Sequence, residues 1–295
     1  EALLSSLLDN LGARRIEIDM VEFSGAAFRD VDHRVMSLRL VEFGLSHAAI
    51  FSASGEVLRP SEVLYKRPVI LQLGRFSPPT KVHFDIQRRA LESFCRDPDV
   101  DETRVVSILE IAVKELRETP DRGLVDFVDR IDALTAGNHT VLISDYPARY
   151  LVAEYLSRYS TSQIALPLGI ENFRELMREE RYAHLSGGLL QATGRLFGTG
   201  VRIYVYPGFD VSSGRRISLE SIELPKDVRT LFEFFLEKGY VRALEGLPDE
   251  QLRVRTDDVR AMLRSGDSRW ESCVEPEIAA AIKAGGLFGY SGAPA

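Results

Sequence analysis

The chain of 295 residues has a formal net charge of −7, with 45% hydrophobic and 27% charged residues. These proportions are typical of a globular protein that can bury a substantial core. The acidic balance argues against a surface that coats nucleic acid, and no apolar run reaches membrane-span length, so neither partner is expected. Cys95 and Cys273 stand apart from any Cys/His cluster, which predicts no disulfide framework, no zinc site and a reducing, cytoplasmic location.

Residues 1–62 are predicted to form an N-terminal extension. Within it, residues 16–21 have the pattern of a strand, residues 35–43 are ambiguous, and residues 48–51 read as a strand that runs into a turn. The many apolar positions of this extension are compatible with packing against the rest of the chain or with contacts in a homo-oligomer.

Residues 63–295 are predicted to form one domain in which apolar strands alternate with helices. The predicted strands cover residues 69–73, 105–109, 140–144, 163–168 and 201–206. The predicted helices cover residues 81–95, 124–134, 148–159, 171–180, 187–197, 227–238, 257–265 and 275–284. This alternation predicts an α/β fold with a Rossmann-like, mainly parallel sheet flanked by helices, whose ligands bind beyond the carboxyl ends of the strands.

The junction after the first of these strands carries the main functional signal. Gly74 ends the strand, and Thr80 is a suitable N-cap for the helix that follows. A helix N-terminus offers unpaired N–H groups and a positive dipole end, which suit phosphate. His83, in the first helical turn, can donate a hydrogen bond to a phosphate oxygen.

The charge around the junction supports an anionic ligand. Between residues 66 and 89 the only acid is Asp85, and the basic side chains there are Lys66, Arg67, Arg75, Lys81, Arg88 and Arg89. A solvated helix face would also account for these charges. Their combination with the strand, the glycine and the double proline favours phosphate binding.

These residues also resemble a known family. The spacing Gly74-x-Phe76-x-Pro78-x-Thr80-x-x-His83 is similar to the G-x-F-x-P-x-(H/T)-x-G-H signature of the adenylyltransferase and cytidylyltransferase superfamily, in particular to its phosphopantetheine adenylyltransferase form. The family's Gly before the last His is Val82 here. The resemblance implies that three residues are catalytic, namely Thr80, Lys81 and His83. It implies a nucleotide-binding role for the loop residues Gly74, Arg75, Phe76 and Ser77.

Two later segments resemble the family in the expected order. Residues 168–176 are similar to its G-x-D-x-(F/L)-x-x-L segment, and residues 205–210 are similar to the R-P-G-x-D turn of nicotinate mononucleotide adenylyltransferases, with Tyr206 in place of Arg. A capped helix and an ordinary Pro-Gly turn would explain them equally simply. The resemblance implies a substrate-binding role for Gly169, Glu171, Asn172 and Arg88.

A further segment, residues 254–267, resembles the I-S-x-T-x-(V/I)-R-x-x-L-x-x-G-(D/E) element, which binds the β- and γ-phosphates in the family. Thr256, Arg260 and Arg264 would inherit nucleotide binding. Asp257 occupies the position of the family's Thr, where it is expected to cap the helix or to help hold magnesium.

The resemblance implies a nucleotidyltransferase of the EC 2.7.7 type that acts on a nucleoside triphosphate and a small anionic acceptor. Mg²⁺ is expected to arrive with the nucleotide, because the sequence has no dedicated carboxylate cage. An enzyme similar to nicotinamide or nicotinate mononucleotide adenylyltransferase is the first hypothesis. A cytidylyl- or adenylyltransferase for a small phosphonate or phosphate, and a catalytically silent nucleotide-binding module, stay open.

Overall fold

The computed structural model describes residue 18 and residues 20–114, 123–160, 163–210, 213–245 and 252–290. The strands of this part of the chain are β1 Ala48–Phe51, β2 Val57–Leu58, β3 Val69–Leu73, β4 Val106–Ala112, β5 Thr140–Ser144, β6 Ile164–Gly169, β7 Val201–Tyr206, β8 Gly208–Phe209, β9 Arg216–Ile217 and β10 Val241–Ala243. Its α-helices are α1 His33–Glu42, α2 Pro60–Val63, α3 Lys81–Phe94, α4 Gly123–Ala136, α5 Arg149–Tyr159, α6 Ile170–Leu176, α7 Gly188–Gly198, α8 Lys226–Glu237, α9 Thr256–Ser265 and α10 Pro276–Gly285.

Eight strands form one sheet in the order β10-β7-β6-β3-β4-β5-β1-β2. The six strands from β10 to β5 pair in parallel, whereas β1 is antiparallel to β5 and β2 is antiparallel to β1. The direction of winding reverses at β3, since β4 and β5 follow on one side and β6, β7 and β10 on the other. This strand order is that of a doubly wound Rossmann-like sheet, and the predicted fold class is confirmed.

Helices cover both faces of the sheet. α5, α6, α7 and α8 pack in one apolar cluster on one face, and α1, α3 and α4 pack on the other. In α3, Ile86, Ala90 and Phe94 recur every four residues and are all buried, so the helical period directs one stripe of the helix into the core. α9 and α10 pack around the buried Trp270 and against α4 through Ala133.

The structure clarifies the N-terminal region. The ambiguous segment at residues 35–43 lies in α1, and β1 and β2 extend the edge of the main sheet. The predicted strand at residues 16–21 falls mostly outside the described residues. Among the described residues, none of the helices has the length and apolar character needed to cross a bilayer.

Candidate active site

A cleft of about 690 Å³ lies over the carboxyl edge of the sheet. Leu73 at the end of β3, Ala112 at the end of β4 and Gly169 at the end of β6 all line it. β3 and β6 are the two neighbouring strands between which the winding reverses. Doubly wound sheets bind ligands at this position, because the loops that leave the two strands diverge and leave a crevice.

Nine of the residues predicted from the sequence line this cleft: Gly74, Arg75, Thr80, His83, Gly169, Glu171, Asn172, Thr256 and Arg260. They come from the loop after β3, the start of α3, the start of α6 and the start of α9. The predicted residues that do not line it are Phe76, Ser77, Lys81, Arg88 and Arg264. The cleft therefore brings together the loop after β3 and the start of α9, in which Gly74 and Thr256 lie more than 180 positions apart in the chain.

The loop between β3 and α3 is packed around the ring of Phe76. A Cβ atom at Gly74 would lie 2.8 Å from Cζ of Phe76, so a side chain at position 74 would displace this ring. Phe76 itself is fully buried, adopts a positive φ of 46° and places its ring centroid 5.0 Å from that of His83. The glycine and the phenylalanine of the signature thus set the position of His83 by packing.

Thr80 and His83 form a reciprocal capping box at the start of α3. The Thr80 N–H donates to Nδ1 of His83 at 3.0 Å, and Oγ1 of Thr80 lies 2.9 Å from the same nitrogen. Because Nδ1 accepts the backbone N–H, the neutral imidazole carries its proton on Nε2. Burial lowers the pKa of His83 to about 4, so at neutral pH the ring is an uncharged donor beside the cleft.

The side chain of Arg260 links α9 to the loop. Its Nε donates to the Ser77 carbonyl oxygen at 3.1 Å, and its guanidinium also donates to Oγ of Ser77. Ser77 Oγ in turn donates to Asp126 of α4 at 3.0 Å, and Asp126 also accepts from the fully buried Arg130. Ser77 therefore contributes by holding the loop in place through its buried hydroxyl.

The lining of the cleft is rich in positive charge. Its cationic side chains are Arg75, Lys114, Arg149, Arg181, Arg255 and Arg260, and its carboxylates are Glu110, Glu171 and Asp257. Six cations against three carboxylates contrast with the net charge of −7 for the whole chain and favour an anionic ligand.

Charges close to Arg260 repel one another. Burial lowers the pKa of Arg260; Asp126 opposes this shift, whereas Arg75, Arg130 and Arg264 add to it. An anion that binds nearby stabilises a cation held among other cations, so the local field favours an anionic ligand.

Other predicted residues make local contacts outside the cleft. Lys81 Nζ donates to the Ser272 carbonyl oxygen at 2.9 Å, which ties α3 to the short helix before α10. Arg88 forms ion pairs with Asp85 and with Glu92, one helical turn away. Arg264 is exposed on the last turn of α9.

The segments at residues 168–176 and 205–210 meet at one ion-pair cluster. Gly169 is the N-cap of α6, and Arg174 Nη1 lies 3.0 Å from Glu171 Oε2 and 3.2 Å from Asp210 Oδ2. Tyr206, at the position of the family's Arg, is buried and donates its hydroxyl to Asp85 of α3.

Asp257 does not cap α9, so the first of the two roles expected for it from the sequence is wrong. The N-cap is Arg255, which makes no side-chain cap hydrogen bond, and Asp257 lies in the first turn of the helix. An N-cap at residue 257 would need the helix to begin at residue 258, whereas α9 begins at Thr256, one residue before its predicted start. Asp257 lines the cleft, where its carboxylate interacts favourably with the helix dipole.

Sequence reasoning missed several polar residues of the cleft: Gln72, Glu110, Lys114, Tyr146, Arg149, Arg181, Tyr182, His184 and Arg255. Some of them carried a usable signal, because they lie at or just after the ends of predicted parallel strands. Gln72 is the one polar residue within the apolar run of β3, and Glu110 follows the predicted strand at residues 105–109. Burial of both side chains at the cleft could have been predicted from the strand ends alone.

Comparison with solved structures finds similarity to adenylyltransferases. Nicotinic acid mononucleotide adenylyltransferase from Plasmodium falciparum, complexed with APC, is 9% identical with a TM-score of 0.39; the match covers 76% of this chain and 98% of that chain. The same enzyme complexed with NaAD is 10% identical with a TM-score of 0.44 and the same coverage. No protein-family model matches the chain, and no curated protein matches it significantly.

Proposed function

We propose that the protein is a nucleotidyltransferase, which transfers a nucleoside monophosphate from a nucleoside triphosphate to a phosphate-bearing small molecule and releases pyrophosphate. The observation that carries the proposal is the Arg260–Ser77 contact, because it joins the loop after β3 and the start of α9 at one cationic cleft. These are the two segments whose sequences resemble the phosphate-binding elements of the superfamily.

In the proposed reaction, an oxygen of the acceptor phosphate attacks the α-phosphorus of the triphosphate. A new O–P bond forms, the bond from the α-phosphorus to the bridging oxygen breaks, and pyrophosphate leaves with the electron pair. The protein provides no covalent nucleophile, so positioning and charge stabilisation lower the barrier. His83 donates from Nε2 to an α-phosphate oxygen, while the start of α9, with Thr256 and Arg260, holds the β- and γ-phosphates.

Magnesium is proposed to enter with the triphosphate. Within the described residues no group of three or more His, Cys, Asp or Glu side chains is arranged to hold a metal ion. A Mg²⁺ ion bound mainly by phosphate and water needs only one or two protein oxygens, and Asp257 and Thr256 can supply them at the cleft. When bound, the ion would reduce the negative charge of the leaving pyrophosphate.

The acceptor is proposed to be nicotinamide or nicotinate mononucleotide, or a close analogue, which would give a dinucleotide product. The similarity of residues 205–210 and 168–176 to segments of such enzymes supports this choice. Gly169, Glu171 and Asn172 line the cleft and are proposed to contact substrate. Lys81 and Arg88, which make their contacts outside the cleft, are proposed to act only after side-chain rearrangement.

One observation favours a second candidate. Val82 lines the cleft where the superfamily has Gly, so its branched side chain occupies space close to the nucleotide phosphates. A different nucleotide pose would suit a specialised cytidylyl- or adenylyltransferase that acts on a small phosphonate or phosphate. If Val82 prevented a productive nucleotide pose altogether, the protein would be a nucleotide-binding module without catalytic activity.

Pyrophosphate release separates these candidates. We would measure it with ATP and with CTP, each against a panel of mononucleotide and phosphonate acceptors. Turnover with ATP and a mononucleotide is expected. Turnover only with a phosphonate acceptor would select the second candidate, and nucleotide binding without pyrophosphate release from any pair would select the silent module.

A further inference from the structure

A carboxylate is buried in the floor of the cationic cleft. Glu110 lies on β4 with its Cα opposite that of Leu73 at the end of β3, and only 1% of the residue is exposed. The hydroxyl of Ser144, on the neighbouring strand β5, donates to Oε1 of Glu110. Two central strands therefore fix both the position and the orientation of this carboxylate.

Glu110 lies on the opposite side of the sheet edge from His83. Ile108, two residues before Glu110, belongs to the apolar cluster on the α5 face, whereas Ile70 packs with Ile86 of α3 on the other face. Side chains alternate along a strand, so Glu110 points to the α5 face. The proposed triphosphate contacts lie on the α3 side, which leaves the α5 side for the acceptor.

Aromatic and cationic groups complete the α5 wall of the cleft. Tyr150 and Tyr182 line it and are both about 5% exposed, and burial raises the pKa of the Tyr182 hydroxyl. Arg149 and Arg181 lie close enough to Tyr182 to act on the same hydroxyl electrostatically. The wall thus combines two largely buried rings, of which Tyr150 has the Arg195 guanidinium 4.3 Å from its centroid, with positive charge and one buried carboxylate.

We infer that this wall, which we call the Glu110 subsite, binds an acceptor that has a phosphate and also a flat ring. The ring of this acceptor carries an uncharged or cationic N–H group. The inference rests on the proposed function and narrows its acceptor. Arg149 and Arg181 suit the phosphate, the Tyr182 ring suits the flat ring, and Glu110 accepts from the N–H group. A carboxylate in place of that group would lack the N–H donor that Glu110 accepts from.

Nicotinamide and nicotinate mononucleotides provide the test, since they differ only in a carboxamide against a carboxylate. With ATP, the wild-type kcat/KM is expected to be at least about 100-fold higher for the carboxamide acceptor, since a site built for a donor rejects an analogue that lacks it. Glu110→Gln keeps the size of the side chain and an oxygen for Ser144. This variant is expected to reduce the ratio at least about 10-fold, mainly through a lower KM for the carboxylate acceptor.

Glu237→Gln is the matched control, because it removes the same charge from an exposed position on α8, outside the cleft. Its acceptor ratio is expected to equal that of the wild type. Should Glu110→Gln fail to fold, the wild-type ratio alone still tests the inference.

Equal or higher wild-type activity with the carboxylate acceptor would overturn the Glu110 subsite while leaving the proposed transferase intact. An unchanged ratio in Glu110→Gln would overturn it as well, and so would turnover restricted to aliphatic phosphonates. Nucleotide binding without pyrophosphate release from any acceptor would instead remove the proposed function, and the subsite with it.

Discussion

The imidazole of His83 presents two nitrogen atoms to two different surroundings. Nδ1 accepts the Thr80 N–H and so completes the cap of α3, which leaves Nε2 as the donor. The capping role and the donor role can therefore be separated by substitution. Gln is the informative replacement, because Gln at this helical position also accepts the N-cap N–H in a capping box.

His83→Ala and His83→Gln are both expected to lower turnover at least about 100-fold, the scale of losing one charge-stabilising donor. Only His83→Ala should also lose the cap, which lowers the free energy of unfolding by about 1 kcal/mol. Steady-state pyrophosphate release and urea denaturation measure the two effects. Near-normal turnover in His83→Ala would remove this residue from the mechanism.

The lowered pKa of His83 predicts a pH dependence of stability. The pKa is about 4 in the folded chain, below the ordinary value of 6.5, so the unfolded chain binds more protons between these values. Stability from this group is present above pH 6.5 and is lost as the pH falls towards 4. The urea midpoint of the wild type is expected to fall more steeply over this window than that of His83→Gln. If the urea midpoints of the wild type and His83→Gln changed in parallel with pH, the lowered pKa of His83 would be contradicted.

Gln72 combines burial with an unused hydrogen-bonding atom. It is 3% exposed, and within the described part of the chain its Oε1 has no hydrogen-bond partner. Gln72 comes two residues after Ile70 on β3, so its side chain points to the same α3 face of the sheet. It lines the same cleft as His83. An unpaired buried amide oxygen destabilises the empty protein, and a ligand N–H or O–H group that donates to this oxygen recovers that energy.

Gln72→Leu is therefore expected to leave the free energy of unfolding unchanged or to raise it by about 1 kcal/mol. The same substitution should weaken ATP binding about 10-fold, the scale of one lost hydrogen bond. Chemical denaturation and titration calorimetry measure these two quantities on one variant. Lower stability with unaltered ATP affinity would mean that Gln72 serves packing alone.

At the scale of elements, the sequence predicted strands and helices best where the spacing of apolar residues agrees with the residues that end a strand or cap a helix. The bounds of β3, β5 and β7 match the predicted strands, because each is a short apolar run that ends at a polar or breaking residue. Helix starts were placed to within a residue or two where a cap or a proline marks them, as at Thr80 and Pro276. The ambiguous segment at residues 35–43 lacked a clear apolar stripe, and Asp32 caps its helix.

The site was less predictable than the elements. The resemblance located the loop after β3 and the start of α9, but their contact through Arg260 and Ser77 spans the whole domain. Asp126 was invisible for the same reason, since its bond to Ser77 depends on how α4 packs beside the loop. No local pattern encodes which of several surface-like Asp residues on a helix will face inward.

Because Arg260 links α9 to the loop through hydrogen bonds, Arg260→Lys is expected to weaken triphosphate binding although the positive charge is kept. Lys keeps the positive charge, but a single ammonium cannot reproduce the donors that reach both oxygens of Ser77. The KM for the triphosphate is expected to rise at least about 10-fold, the scale of one lost hydrogen-bonded contact. Arg269→Lys is the matched control, because the Arg269 side chain is 78% exposed and forms an ion pair with Asp267, two residues before it. Equal KM values in the two variants would show that charge alone matters at position 260.

At the scale of the whole molecule, the sheet brings the ends of its central strands to one cleft and concentrates cations there, although the chain is acidic overall. Negative charge elsewhere keeps the surface from attracting polyanions in general. In the proposed function, selectivity for a small phosphate compound would come from this cationic cleft. The assignment of residues 1–62 as an N-terminal extension stays a prediction that truncation tests, and sedimentation would decide between a monomer and a homo-oligomer.

Triphosphate binding should stabilise the entire fold. ATP at 100 times its Kd is expected to add about 2.7 kcal/mol to the free energy of unfolding and to raise the Tm by a few degrees. Adenosine lacks the phosphates and should give a much smaller shift at equal concentration. Differential scanning fluorimetry compares the two ligands, and equal shifts would place the binding energy in the base rather than in the cationic cleft.

The bond between Ser77 and Arg260 spans 183 positions of the chain. During synthesis the loop therefore leaves the ribosome long before its partner on α9 has been translated. A fragment released by a premature stop between residues 77 and 256 lacks the Arg260 hydrogen bonds that hold Ser77, and it lacks Thr256 as well. If the proposed function holds, such a fragment should bind nucleotide weakly even if its early strands associate, and triphosphate binding would mark a chain translated past residue 260.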